Sequence, residues 1–249
     1  MRPLSVRIFP VSEVFWYNHC TTTTNVNLQI LLLLVAIITL AVASPVNLEE
    51  RTWPAKEKGG AKCYKGTEFP KESEWLPWNK LVAKANPILN KFNTPAENKH
   101  ILKYIQELAK KYKLDKRVVL ETMMQESKGD LRTKPGDGVT PGLLQALHSP
   151  HCQNTKKGKC PKSKIKQMLE AGIKGTKGTE GLAKCYTKNG KKYGAMARCY
   201  NSGNIINPKD WTKIKYGTPE YVSDIGNRLR GLEPPTNCGF GNRVGSPGH

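Results

Sequence analysis

The sequence has no second long apolar run, no internal repeat, no CxxC or HxxxH pair and no N-x-Ser/Thr sequon. With one apolar run, a multi-pass membrane protein is excluded. Without paired ligand motifs, zinc is a weak reading. His148 and His151 lie near Cys152, but two histidines beside one cysteine do not make a metal site. Without a sequon, N-glycosylation contributes nothing. Seven cysteines in 249 residues fall well below the density of disulfide-stapled miniproteins, so a hydrophobic core must carry most of the stability. No stretch alternates convincingly with period two, which argues against a sheet-rich fold. Acidic residues are scarce, with 20 Asp and Glu against 40 Lys and Arg, a formal net charge of +20. That excess suits polyanionic partners such as nucleic acid, an anionic membrane or an acidic cell wall. The lysines are scattered, however, and densest at Lys156, Lys157, Lys159, Lys162, Lys164 and Lys166. No basic stripe interleaved with aromatics and no nucleic-acid motif is present, so no specific nucleic-acid partner is expected.

What is there begins with the apolar run, Ile30 to Ala43, which is shorter than the roughly 20 residues of a spanning helix. It ends in Ala41-Val42-Ala43 before Ser44-Pro45, the pattern of a signal peptide and its cleavage site. Residues 1–43 are therefore expected to be a signal peptide. An uncleaved signal anchor is the alternative, and both place the bulk of the chain in the secretory pathway. Cleavage removes Arg2, Arg7, Glu13 and Cys20 and leaves no stable membrane anchor. The remainder carries 38 basic and 19 acidic side chains, net +19. Cys63, Cys152, Cys160, Cys185, Cys199 and Cys238 remain, an even count that predicts three disulfides in an oxidising compartment. Fifteen connectivities are open.

The organisation reads as mainly α. Residues 44–72 form an extended N-terminal arm, with Cys63 as a possible staple. Residues 73–233 form one domain, and 234–249 a Gly/Pro-rich tail held by Cys238. Ser73 to Phe92, with Trp75, Trp78, Leu81, Val82, Ile88 and Leu89, suggests short helical packing. Thr94-Pro95-Ala96-Glu97 is a helix start, with Thr at N-cap, Pro at N1 and Glu at N3. Asp115 caps the next helix. Pro161 opens another that Gly172 ends, two short helices cover 182–186 and 193–200, and Thr218-Pro219-Glu220 starts a last one running to Gly231.

The informative residue for chemistry is Glu126. It closes the helix begun after Asp115 and lies on or beside the face of Val119 and Met123. Partial desolvation and the negative end of the helix dipole both act to raise a carboxyl pKa. That property suits a general acid that protonates a leaving-group oxygen. Spacing alone is also compatible with an ordinary solvated glutamate. Glu121, five residues earlier on the same helix, is expected to have little influence on rate.

Three segments sharpen this reading. Met124-Gln125-Glu126-Ser127, Gly142-Leu143-Leu144-Gln145 and Tyr200-Asn201-Ser202-Gly203 resemble, in order and approximate spacing, the three motifs of the soluble lytic transglycosylase family. That family shares its lysozyme-like fold with goose-type lysozyme. The likeness extends to secreted fungal proteins with this domain and covers roughly Trp75 to Leu232. The resemblance implies Glu126 as the catalytic acid and later base, with Ser127 placing it or touching substrate. It implies Gly142 in a tight loop close to the sugar, Gln145 bonding sugar in the cleft, and Tyr200 and Asn201 lining the cleft. Departures are the GLLQ form of the second motif, the unplaced Ala146-Leu147-His148 that follows it, and Cys199 before Tyr200. No second carboxylate is assured. Asp130 and Asp137 are the candidates to orient a water, though Asp137-Gly138 reads better as a turn.

The resulting expectation is a secreted, monomeric, lysozyme-like enzyme without metal or cofactor that cleaves a β-1,4-linked amino-sugar polymer. Peptidoglycan is the implied substrate, and a chitin-like polymer is the alternative. The rival class is a non-catalytic, cationic protein that binds the anionic cell wall.

Overall fold

A computed structural model describes residues 60–136 and 138–241. The predicted leader, residues 44–59 of the arm, Asp137 and residues 242–249 of the tail lie outside the described residues. After a 3-10 turn at Glu72–Glu74, the described residues form α1 (Trp78–Phe92), α2 (Pro95–Lys111), α3 (Lys116–Ser127), α4 (Lys162–Lys174), α5 (Leu182–Lys188), α6 (Tyr193–Ser202) and α7 (Tyr221–Leu229). Between α4 and α5 lies one antiparallel hairpin, β1 (Gly175–Thr176) with β2 (Thr179–Glu180), in the register Gly175 opposite Glu180. The fold is thus mainly helical with disulfide-bonded cysteines.

The helices begin where their capping residues stand. At α2, the Glu97 amide donates to Thr94 Oγ1 at 3.3 Å, and the Thr94 amide donates back to Glu97 Oε2 at 2.9 Å. Both otherwise orphaned donors are thereby satisfied. At α3, Asp115 Oδ1 accepts from the Arg117 amide at 2.8 Å. Nine of the twelve residues of α3 are buried. It is the central helix, with α1, α2 and α7 packed around it. Val118, Val119, Leu120 and Met123 are fully buried, each contributing about 1.5–3 kcal/mol of apolar transfer free energy.

Four expectations need correcting. Trp78 to Phe92 is one continuous helix, although Pro87 sits inside it. Gly172 does not end α4, which runs on to Lys174. Gly172 lies within the helix because a Cβ there would stand 2.3 Å from Leu144 Cβ and 2.9 Å from the Tyr200 hydroxyl. The residue therefore serves close packing rather than termination. The last helix starts at Tyr221, three residues past Thr218, because residues 211–219 are held by other contacts described below. The hairpin at 175–180 was not expected.

The pairing of the cysteines is Cys63–Cys238, Cys152–Cys160 and Cys185–Cys199. The first joins arm to tail across a sequence separation of 175. The described part of the arm is docked as well as stapled. Lys62 N–H donates to Asn227 Oδ1 at 2.9 Å, Asn227 Nδ2 donates to Lys62 O at 2.7 Å, and Tyr64 N–H donates to Ser223 Oγ at 2.9 Å. The second disulfide closes the lysine-rich loop, and the third ties α5 to α6. No helix among the described residues is long and apolar enough to cross a membrane. Three such bonds point to an oxidising environment.

Candidate active site

Glu126 sits in the last turn of α3, half-buried, and the chain leaves the helix through Lys128 at φ 56°. Its Oε1 accepts a hydrogen bond from the hydroxyl of Tyr221, the first residue of α7. The next residue, Ser127, is buried. Its Oγ donates to Leu143 O at 2.8 Å and accepts from the Gly129 amide at 3.1 Å. The first segment is therefore bonded directly to the second.

The second segment is a loop rather than a helix. Gly142 has φ 88°, and a Cβ there would stand 2.7 Å from Ser149 Oγ and 2.9 Å from Pro150 O. Only glycine fits without a shift. Gln145 lies half-buried in the left-handed region at φ 46°. Its Nε2 donates to Gly142 O at 2.9 Å, and its Oε1 accepts from the Gly136 amide at 3.1 Å. Its amide thus ties this loop to the one following Glu126. The residues after it, unplaced from the sequence, are anchored by the hairpin, because Thr176 Oγ1 donates to Leu147 O at 2.5 Å.

The third segment closes the arrangement. Tyr200, on α6, donates from its hydroxyl to Leu144 O at 2.6 Å. Burial, then the nearby Glu126 charge, hold the Tyr200 phenol well above its ordinary pKa. The same two causes act on Tyr221. Both phenols therefore remain protonated donors at working pH. Asn201 lies beside them in sequence, but its Oδ1 accepts from Arg198 Nη2 and from the Thr218 amide, the latter at 2.8 Å. Its role is to hold the 211–219 loop.

Two residues important here were not picked out from the sequence. Tyr221 was visible only as an apolar position on the last helix. The other is Arg198. Its side chain is fully buried, and burial lowers its pKa to about 10. Nη1 donates to the main-chain oxygens of Trp211 at 3.1 Å and Thr218 at 3.0 Å, while Nε has no partner. This guanidinium fixes the loop that delivers Tyr221 to Glu126. An arginine one turn before an Asn on a helix was the available signal, but nothing in sequence marks it as buried.

Of the two candidate second carboxylates, Asp137 lies outside the described residues. Asp130 is half-buried with Oδ1 accepting from the Arg132 amide at 2.8 Å, and burial raises its pKa. Glu121 is fully buried, neither of its carboxyl oxygens has a hydrogen-bond partner, and burial pushes its pKa up to about 8. Glu180 lies within 4.8 Å of the Cys185 and Cys199 sulfurs, a grouping with metal-ligand chemistry. Those sulfurs are joined to each other and offer no thiolate, and Glu180 is paired with Lys184 and Lys188 instead. A separate groove lies between α1 and α2, lined by Asn90, Asn98, Leu102 and Lys103 among others, and contains none of the sequence-predicted site residues. No family model, curated protein or solved structure matches this chain.

Proposed function

We propose that this protein is a lysozyme-like, glycan-cleaving enzyme in which Glu126 is the general acid, later the base. The observation that carries the reading is the joining of the three segments by hydrogen bonds beside one carboxylate. Ser127 and Tyr200 both bond the backbone of the Gly142–Gln145 loop, while Tyr221 bonds Glu126 itself. A half-buried carboxylate with a fixed hydroxyl donor is preorganised for proton transfer. The resemblance to the soluble lytic transglycosylase family supplies the substrate class, a β-1,4-linked amino-sugar polymer, with peptidoglycan first and a chitin-like polymer second.

In this mechanism Glu126 protonates the glycosidic oxygen. An oxocarbenium-like transition state then collapses by one of two routes. Attack by the muramic 6-hydroxyl, with Glu126 taking its proton, gives a 1,6-anhydro product. Attack by water gives a new reducing end. The net charge of +19 after leader removal brings the enzyme to an anionic wall. Secretion fits the disulfides and the leader pattern. Mass spectrometry of products released from purified peptidoglycan tests the reading. Anhydro-muramyl products identify a transglycosylase, and reducing muramyl ends a hydrolase. The absence of any soluble product, with retained wall binding, would leave a cationic wall-binding protein.

A further inference from the structure

The groove between α1 and α2, about 780 Å³ in volume, is reached by a buried relay of asparagines. Main-chain groups of the turn after α3 fix the direction of that relay. Asn93 Nδ2 donates to Gly129 O at 2.7 Å, and Asn93 Oδ1 accepts from the Leu131 amide at 3.3 Å. Asn93 Nδ2 also donates to Asn98 Oδ1 at 3.1 Å. Asn98 is thereby turned to donate onward, to Asn90 Oδ1 at 2.9 Å. Asn93 and Asn98 are buried, whereas Asn90 is exposed and lines the groove. With its oxygen occupied, Asn90 keeps two N–H donors to offer a ligand. Asn86, one turn earlier on α1, lines the groove with a second side-chain amide, which has no hydrogen bond among the described residues.

Cations complete the lining. Lys99 and Lys103 are exposed one turn apart on α2, about 6 Å along its axis. Lys99 has no ion pair among the described residues. Lys103 pairs with Glu107 at 3.6 Å, but Glu107 also holds Lys166 at 3.4 Å. Lys103 can therefore turn to a ligand without stranding that carboxylate. At the Asn90 end stands the disulfide-closed, lysine-rich loop, whose Lys157 Nζ donates to Asn90 O at 3.0 Å.

The groove thus offers oriented donors and positive charge, which suit an acceptor-rich anion. Among the described residues no aromatic ring lines it, so neither a pyranose face nor a nucleobase finds a stacking partner there. No arginine lines it either. The planar fork that matches a carboxylate is therefore missing, whereas a lysine ammonium meets a tetrahedral phosphate as a point charge. We propose that this groove binds a phosphodiester-linked polyol chain, with its nonbridging oxygens bonded by the Asn86 and Asn90 amides and paired with Lys99 and Lys103. A backbone of three carbons between phosphates spans the spacing of the two lysines. The groove contains none of the residues around Glu126 and does not rest on the glycan-cleaving reading.

Calorimetry with poly(glycerol phosphate) tests this, alongside polygalacturonate as a carboxylate polymer and oligo-dT as a phosphodiester that carries bases. Wild type should bind poly(glycerol phosphate) more tightly than either of the others. Asn90→Asp keeps the oxygen that Asn98 needs but replaces both donors with a charged acceptor, and should weaken binding at least about tenfold. Lys99→Ala with Lys103→Ala should weaken it about three- to twentyfold. Lys65→Ala with Lys174→Ala removes the same charge from residues that do not line the groove, and should change affinity less than about twofold. Circular dichroism checks that each variant folds, and the lysine variants decide alone if Asn90→Asp does not. Equal losses from the two lysine pairs would show that net charge alone attracts the polymer, and would overturn the site. Equal or tighter binding of polygalacturonate or oligo-dT would overturn the ligand class. A wild type that does not bind poly(glycerol phosphate) would overturn the proposal outright, whatever the protein does to glycans.

Discussion

Replacing Glu121 with glutamine should remove a loss of stability that the wild type suffers as pH rises from about 4.5 to about 8, the ordinary and buried values for this carboxyl. In the folded protein burial keeps Glu121 neutral, with Arg228 only partly opposing it. In the unfolded chain the same group ionises at its ordinary value. Across the window the folded state therefore holds one more proton than the unfolded state, so stability falls with rising pH. Each pH unit costs about 1.4 kcal/mol, and the whole window about 5 kcal/mol. Below the window both states are protonated and the term vanishes. Above it the loss is complete and constant. Since domains of this kind are stable by about 5–15 kcal/mol, the term is a large share of the total. Urea unfolding at half-unit steps from pH 4 to 9 measures it, read as the difference between wild type and Glu121→Gln. Glu121→Leu gives the same difference in slope without leaving an amide unpaired. A difference that stays flat across the window would show that Glu121 is hydrated or paired in solution, and would refute the reasoning.

Three further outcomes follow from packing and covalent structure. Denatured, unreduced mature protein should titrate no free thiol. Removing Cys63–Cys238 by paired serine substitution should cost about 5 kcal/mol, against about 2.5 for Cys152–Cys160, because the closed loops differ in length (separations of 175 and 8). Equal losses in chemical denaturation would contradict the loop-entropy account. Gly172→Ala should destabilise by about 1–3 kcal/mol, since its methyl overlaps Leu144 and crowds the Tyr200 hydroxyl. A neutral thermal melt would mean that α4 can shift freely.

Legibility differed by element, for physical reasons. Helix starts at Thr94 and Asp115 were readable because capping is a local interaction between residues two or three apart. Gly172 was misread because a glycine demanded by a distant neighbour looks like a glycine demanded by a helix end. The burial of Glu121 was not legible because α3 is buried almost all round, so amphipathic spacing does not report which of its polar residues are enclosed. Glu126 and Ser127 stood out only in company with Gly142–Gln145 and Tyr200–Asn201. The structure brings those segments together, yet it also ties Gln145 and Asn201 into their own loops. Tyr221 and Arg198 were out of reach, since their importance lies in contacts across 95 residues and in total burial respectively. The disulfide pairing was equally hidden, because cysteine spacing does not choose among connectivities.

The central claim is that Glu126 moves the proton, and Glu126→Gln tests it most directly. Glutamine keeps the shape and can still accept the Tyr221 hydroxyl through its carbonyl oxygen, but it has no proton to give and take. Turnover of purified peptidoglycan, followed by mass spectrometry of released fragments, should fall at least about 10²- to 10⁴-fold, with the thermal midpoint held or slightly raised. Wild-type turnover by a folded Glu126→Gln protein would contradict the account.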